Sequence, residues 1–208
     1  SEKDYFLEEL WVSLYSLRQF HPEVTVNVLV DEPTKKYVER FPELCGMITN
    51  IVVVPVPENY NAKQRSRVIK TTVRNVIDGA YLFIDTDTVI CKPLDDIDNL
   101  TCDMAAVPDG HLPLSECMFP PTNSVNKIFK TDVSDSKYWF NSGVMFVADN
   151  ELTRKFYKRW NENWTYSCFE KGQSQDQPAL LATDKEFGYI ISELPGIYNA
   201  QVAMSLKY

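Results

Sequence analysis

No run of apolar residues in this 208-residue chain approaches the length of a membrane span, and no charged-then-apolar leader opens it. The chain as given is expected to be soluble, with no transmembrane segment. Positive charge is in deficit: 21 Lys and Arg stand against 29 Asp and Glu, for a net charge of -8. That balance argues against bulk electrostatic binding to nucleic acid or an anionic membrane, so no nucleic-acid partner is expected. An anionic substrate would need a local basic pocket. The five cysteines (Cys45, Cys91, Cys102, Cys117, Cys168) contain no C-x-x-C pair and are odd in number, which excludes a zinc ribbon and a neat disulfide frame. Free thiols in a reducing compartment are the expectation. Internal repeats and low-complexity tracts are absent too. The Asn-x-Thr triplets at Asn99 and Asn163 are common enough by chance to carry no weight.

What is present centres on Ala80-Tyr-Leu-Phe-Ile-Asp85-Thr86-Asp87-Thr-Val-Ile90, an apolar stretch that ends in two carboxylates one residue apart. A continuous apolar run reads as a buried strand, and open α/β sheets bind ligands beyond the carboxyl ends of their strands. In an extended segment residues i and i+2 point the same way, so Asp85 and Asp87 are expected to converge on one hard cation. The structural alternative is that Asp85 opens a turn and Asp87 is merely solvated.

The rest of the chain alternates helix and strand signals. Phe6, Leu7, Leu10, Trp11, Leu14 and Leu17 recur at helical spacing, with Ser1 or Asp4 as the cap. Val24 to Val30 and Ile48 to Val56 read as strands, with a short helix from Thr34 to Phe41 between them. Arg67, Lys70 and Arg74 fall at i, i+3 and i+7 of a basic helix between Asn59 and Asp78, predicting one positive face in an acidic protein. Met104 to Val107 is a strand closing at Pro108-Asp109-Gly110, and His111 to Lys137 reads as a long functional loop in which His111 is exposed. Trp139 to Val147 is a further strand containing Asn141-Ser142-Gly143, Leu152 to Trp164 a helix, Gln175-Asp176-Gln177-Pro178 the opening of another, and Gly188 to Leu194 a last strand. Taken singly, Asn141-Ser142-Gly143 fits a bulge and Asp176 fits a helix cap. Repeating β/α units give an α/β sandwich, most simply one domain.

The ordered set of the basic helix, the D-x-D strand, Phe-Asn141-Ser142-Gly143-Val and Asp176-Gln177 resembles glycosyltransferase family 8, the glycogenin and lipopolysaccharide galactosyltransferase group. The resemblance implies a GT-A type, Rossmann-like α/β/α sandwich with a mixed central sheet, its nucleotide-binding half at about residues 1-107 and its sugar and acceptor half at about 108-208. It implies Mn²⁺ or Mg²⁺ as cofactor, a nucleotide-diphosphate sugar as donor, and a glycan, lipid-linked or protein acceptor. Asp85 and Asp87 would be the metal ligands, with Thr86, Arg67 or Lys70, Asn141, Ser142, Gly143 and Asp109 on the donor. Asp176 and Gln177 would be the reaction-centre pair. A cytoplasmic enzyme is implied, peripheral at a membrane, or a Golgi-lumen one if eukaryotic.

The chain departs from the family pattern by starting at a helix rather than a base-supporting strand and by lacking a late histidine, its only two being His21 and His111. An extension beyond both ends is therefore expected. Two other classes stay open at this point. Asp85-Thr-Asp87-Thr88 literally satisfies the nucleophile motif of haloacid dehalogenase-type phosphatases, although two strand and helix units precede it and no later G-D-x-x-x-D follows. A non-catalytic module that binds a nucleotide sugar is the other.

Overall fold

The structure is a computed structural model that describes residues 5–117 and 122–202. Its order is α1 (Tyr5–Phe20), β1 (Asn27–Val30), α2 (Glu32–Val38), the single turn α3 (Pro42–Cys45), β2 (Asn50–Val53), α4 (Ala62–Thr72), β3 (Tyr81–Ile84), β4 (Met104–Pro113), α5 (Thr122–Phe129), β5 (Tyr138–Val147), α6 (Glu151–Lys171), α7 (Gln177–Glu186) and β6 (Ile191–Glu193). This is the expected mixed α/β fold. The cap expected at Ser1 or Asp4 lies outside the described residues.

The chain packs into two compact units that interleave along the sequence. One is formed by residues up to Arg65 with Ile84–Leu100, the other by Ser66–Phe83 with the chain from Thr101 onward.

In the first unit β1 and β2 pair in parallel, Val28 opposite Ile51 and Val30 opposite Val53. Leu10 and Leu14 of α1 close over Val26, Val28 and Val30, with Val38 and Leu44 completing the core, as the helical spacing of α1 requires. Asp31 caps α2 by accepting from Thr34 N at 3.0 Å, and Arg65 holds its other oxygen at 2.5 Å. Burial pushes the Asp31 carboxyl up, but these hydrogen bonds outweigh it and leave the group below its ordinary range.

The second unit carries a sheet of order β3-β5-β4-β6, in which β4 runs antiparallel to β5 and parallel to β6. α6 begins at an Asn150–Thr153 capping box and ends at Gly172, whose φ of 69° suits a residue without Cβ. Phe156, Tyr157, Trp160 and Trp164 bury its inner face completely, and Asn163 is buried against Thr183 and Glu186.

Three expectations about local structure change. β3 is half-buried rather than buried along its length. β4 continues to Pro113, and residues 122–129 form α5, so the stretch from His111 to Lys137 is not a loop throughout. The helix carrying Arg67 and Lys70 tightens to a 3₁₀ turn at Val73–Asn75, which takes Arg74 off their face. Arg74 is fully buried, bonded to Ile77 O and to Gly79 O and lying 4.8 Å over the Tyr81 ring.

Candidate active site

The β4–β5 ladder is irregular where the sequence placed its candidates. Between the pairs Ala106↔Met145 and Pro108↔Phe140, β5 takes five steps against two on β4. Between Pro108↔Phe140 and Pro113↔Tyr138 the imbalance reverses, two steps on β5 against five on β4. The surplus residues are Asn141-Ser142-Gly143 on one strand and Asp109-Gly110-His111 on the other. The bulge reading of Asn141-Ser142-Gly143 thus holds, and a bulge re-aims side chains that a regular pleat would alternate. Gly110 (φ 65°) and His111 (φ 57°) both hold the left-handed conformation, which costs a non-glycine residue about 1–2 kcal/mol.

Asp176 sits at the N-cap position of α7, yet its side chain makes no cap hydrogen bond. It turns inward instead, 3% exposed, with Arg67 Nε 2.8 Å from Oδ1 and Ser142 Oγ donating to Oδ2 at 2.6 Å. Lys70 Nζ lies 3.9 Å from the same Oδ2, 3.5 Å from Ser142 Oγ and 5.2 Å from the Phe83 ring centroid. Trp160 Nε1 donates to the Asp176 carbonyl at 3.2 Å, fixing the backbone as well. A buried carboxylate held by two cations and a hydroxyl is paired in the way burial demands. The simple cap reading of Asp176 does not survive this geometry.

A second cluster in the same unit is built from amides. Asn141 Nδ2 donates to Asp109 Oδ1 at 2.8 Å, and Gln177 Nε2 donates to the same oxygen at 3.4 Å and to Phe140 O at 3.2 Å. Gly143 N donates to Asn141 Oδ1 at 2.8 Å. Both side-chain donors, Asn141 and Gln177, meet Asp109 at Oδ1. Asn141 has most of its capacity spent internally, so it organises Asp109 more than it offers donors of its own.

The strand that leads to the D-x-D, β3, stops at Ile84, and in the first unit Thr88 N closes a turn onto Asp85 O at 3.2 Å. Asp85 is half-buried, while Thr86 and Asp87 are exposed. Asp-Thr-Asp-Thr is turn chemistry, Asp being favoured at the first position, so the strand alternation expected to align the two carboxylates does not reach them. Among the described residues no cluster of three or more His, Cys, Asp or Glu forms. Two hard carboxylates nevertheless suit a cation such as Mg²⁺, which keeps waters and takes its remaining oxygens from substrate phosphates.

The sequence thus brings Arg67, Lys70, Ser142 and Asp176 into one cluster and Asp109, Asn141, Gly143 and Gln177 into another. Arg74 joins neither. Unforeseen were the half-buried His111, whose Nε2 lies 2.7 Å from Asn199 O, and the side chains of Asn199, Gln201 and Trp160.

The family model for glycosyl transferase family 8 matches residues 1–207. The chain belongs to that family. As a glycosyltransferase it leaves the phosphatase reading of Asp85-Thr-Asp87-Thr88 without support. Its backbone is similar to that of mouse xyloside xylosyltransferase 1 in its apo form, with a TM-score of 0.57 at 10% identity, over 92% of this chain and 80% of that one. At that identity the likeness speaks for the GT-A fold alone. No curated protein matches the sequence. No described helix of the glycosyltransferase is long and apolar enough to cross a membrane.

Proposed function

We propose that this glycosyltransferase moves a hexose from a UDP-linked sugar to a hydroxyl of a glycan, lipid-linked or protein acceptor, depends on a divalent cation and retains anomeric configuration. The observation that carries the reading is the locked Asp176, whose two oxygens meet Arg67 and Ser142 at 2.8 and 2.6 Å. A carboxylate so engaged is a poor nucleophile and a well-fixed acceptor and negative charge, suited to orienting the donor sugar and to opposing positive charge as the glycosidic bond opens. Asp109 Oδ2 accepts a sugar hydroxyl, and Gln177 beside it completes the reaction-centre pair. Gly143 admits the sugar close to the backbone. Residues of about 1-107 serve the nucleotide and those of about 108-208 the sugar and acceptor.

Asp87, with Asp85, would hold Mn²⁺ or Mg²⁺, and Thr86 would flank the donor. When bound there, the cation would supply Lewis-acid stabilisation of charge on the departing diphosphate. In the transfer, the bond from the anomeric carbon to the diphosphate oxygen breaks with its electron pair leaving on oxygen. The acceptor oxygen bonds to that carbon, and its proton passes to the diphosphate.

The test is UDP release from UDP-glucose, UDP-galactose and UDP-xylose with Mn²⁺, beside phosphate release from a generic aryl phosphate. UDP-xylose belongs in the panel because the mouse neighbour is named for xylosyl transfer. Manganese-dependent UDP release that vanishes in Asp87→Ala is the expected result. Phosphate release that requires Asp85, or no manganese-dependent affinity for any UDP-sugar by calorimetry, would overturn the proposal.

A further inference from the structure

The two bulges are held by a short stretch far along the chain. Asn199 Nδ2 donates to Asn141 Oδ1 at 3.0 Å, so this oxygen accepts at once from Asn199 and from Gly143 N. Its occupation by two donors fixes which way the carboxamide faces and turns Nδ2 toward Asp109 Oδ1. Gln201 spans the other bulge: its Oε1 accepts from Gly110 N at 2.7 Å and its Nε2 donates to Pro108 O at 3.1 Å. Gln201 adopts a φ of 46° to do so, a left-handed conformation that a glutamine keeps only when its surroundings hold it. His111 adds a third tie, from Nε2 to Asn199 O at 2.7 Å.

We propose that Asn199 and Gln201 are positioning residues of the glycosyltransferase, a clasp that sets the carboxamide of Asn141 and thereby aims Asp109 at the sugar. This rests on the role given to Asp109 under the proposed function. Neither residue touches substrate. Their effect is on orientation, and for Asn199 the sense of the hydrogen bond matters more than its bulk. Asn199→Asp keeps the shape but offers only acceptors, so it repels Asn141 Oδ1, flips that carboxamide and sets oxygen against Asp109 Oδ1. Asn199→Ala only removes a donor. A packing role orders the variants the other way, because the isosteric change then disturbs least.

The experiment measures UDP-sugar turnover and backbone hydrogen exchange in the wild-type chain, Asn199→Ala, Asn199→Asp and Gln201→Ala. The clasp predicts a fall in kcat of about tenfold for Asn199→Ala and about a hundredfold for Asn199→Asp, with KM for the donor little changed. It also predicts faster amide exchange at Gly143 in Asn199→Asp and at Gly110 in Gln201→Ala. Turnover of Asn199→Asp equal to or above that of Asn199→Ala overturns it. If the wild-type chain turns over no UDP-sugar, the proposed function fails, and exchange alone then decides the clasp. Unchanged protection at Gly143 and Gly110 overturns it in that case too.

Discussion

Asp87 is exposed on a turn, whereas Asp176 is 3% exposed and held on both oxygens by its own unit. The exposed acid owes little to the fold, so its neighbours add little to stability, and under the proposed function its counter-charge is a divalent cation. The buried acid is the reverse, a group whose partners are assembled during folding, so that under the proposed function it serves stability and chemistry together. Carboxylates of one enzyme can thus be sorted by where their counter-charge comes from, solution or chain.

The largest effect expected from this contrast is at Asp87. Asp87→Ala should lower UDP-sugar turnover by about 10²–10³-fold while leaving the urea midpoint in place. A lowered midpoint would show that the turn is structural after all. Asp176→Ala should instead fail on both counts, losing turnover and about 3–5 kcal/mol of stability in urea, because the buried Lys70 and the half-buried Arg67 would lose their shared anion.

Asp184 sharpens the comparison as a buried carboxyl that pairs with no cation among the described residues. Burial lifts its pKa from 3.8 to about 7, against the pull of the Ile191 and Ile190 N–H groups. The folded chain therefore keeps a proton that the unfolded chain has already lost, so stability declines as pH rises from about 4 to about 7. Asp184→Asn should remove roughly 3 kcal/mol of that decline when urea melts at pH 4.5 and pH 8 are compared. An identical slope in both proteins would remove Asp184 from the account. The smallest effect belongs to Asp31, half cap and half ion pair, where Asp31→Ala should cost about 1–2 kcal/mol. Its carboxyl is depressed in the fold, so that contribution is present above pH 3.8 and fades as pH falls through the folded value.

Much of this was legible in the chain. The apolar stretch ending in Asp85, the Phe140-Asn141-Ser142-Gly143 strand and the Asp176-Gln177-Pro178 helix start each follow from local pattern, and the pairing of Arg67 and Lys70 from helical spacing. Arg74 was misplaced because spacing assumes a constant 3.6-residue turn, and the helix tightens before reaching it. β4 was cut short at Pro108 and Gly110 because both residues ordinarily end strands; here they mark a bulge inside one. α5 escaped notice because it buries only Val125 and Ile128, too few apolar positions for a period to declare itself. Asn199 and Gln201 lie 58 and 91 residues from the groups they hold, Asn141 and Gly110, and no local rule reaches that far.

The two detours in the β4–β5 ladder cancel: the residues added on one strand before Pro108↔Phe140 are matched by those added on the other after it, so Tyr138 faces Pro113 in the same phase that sets Met145 against Ala106. Lengthening or trimming either detour by one residue would turn the strand beyond it inside out unless the other changed in step. The two detours are therefore free to vary only as a couple, and any remodelling of sugar preference on this scaffold has to edit both strands together.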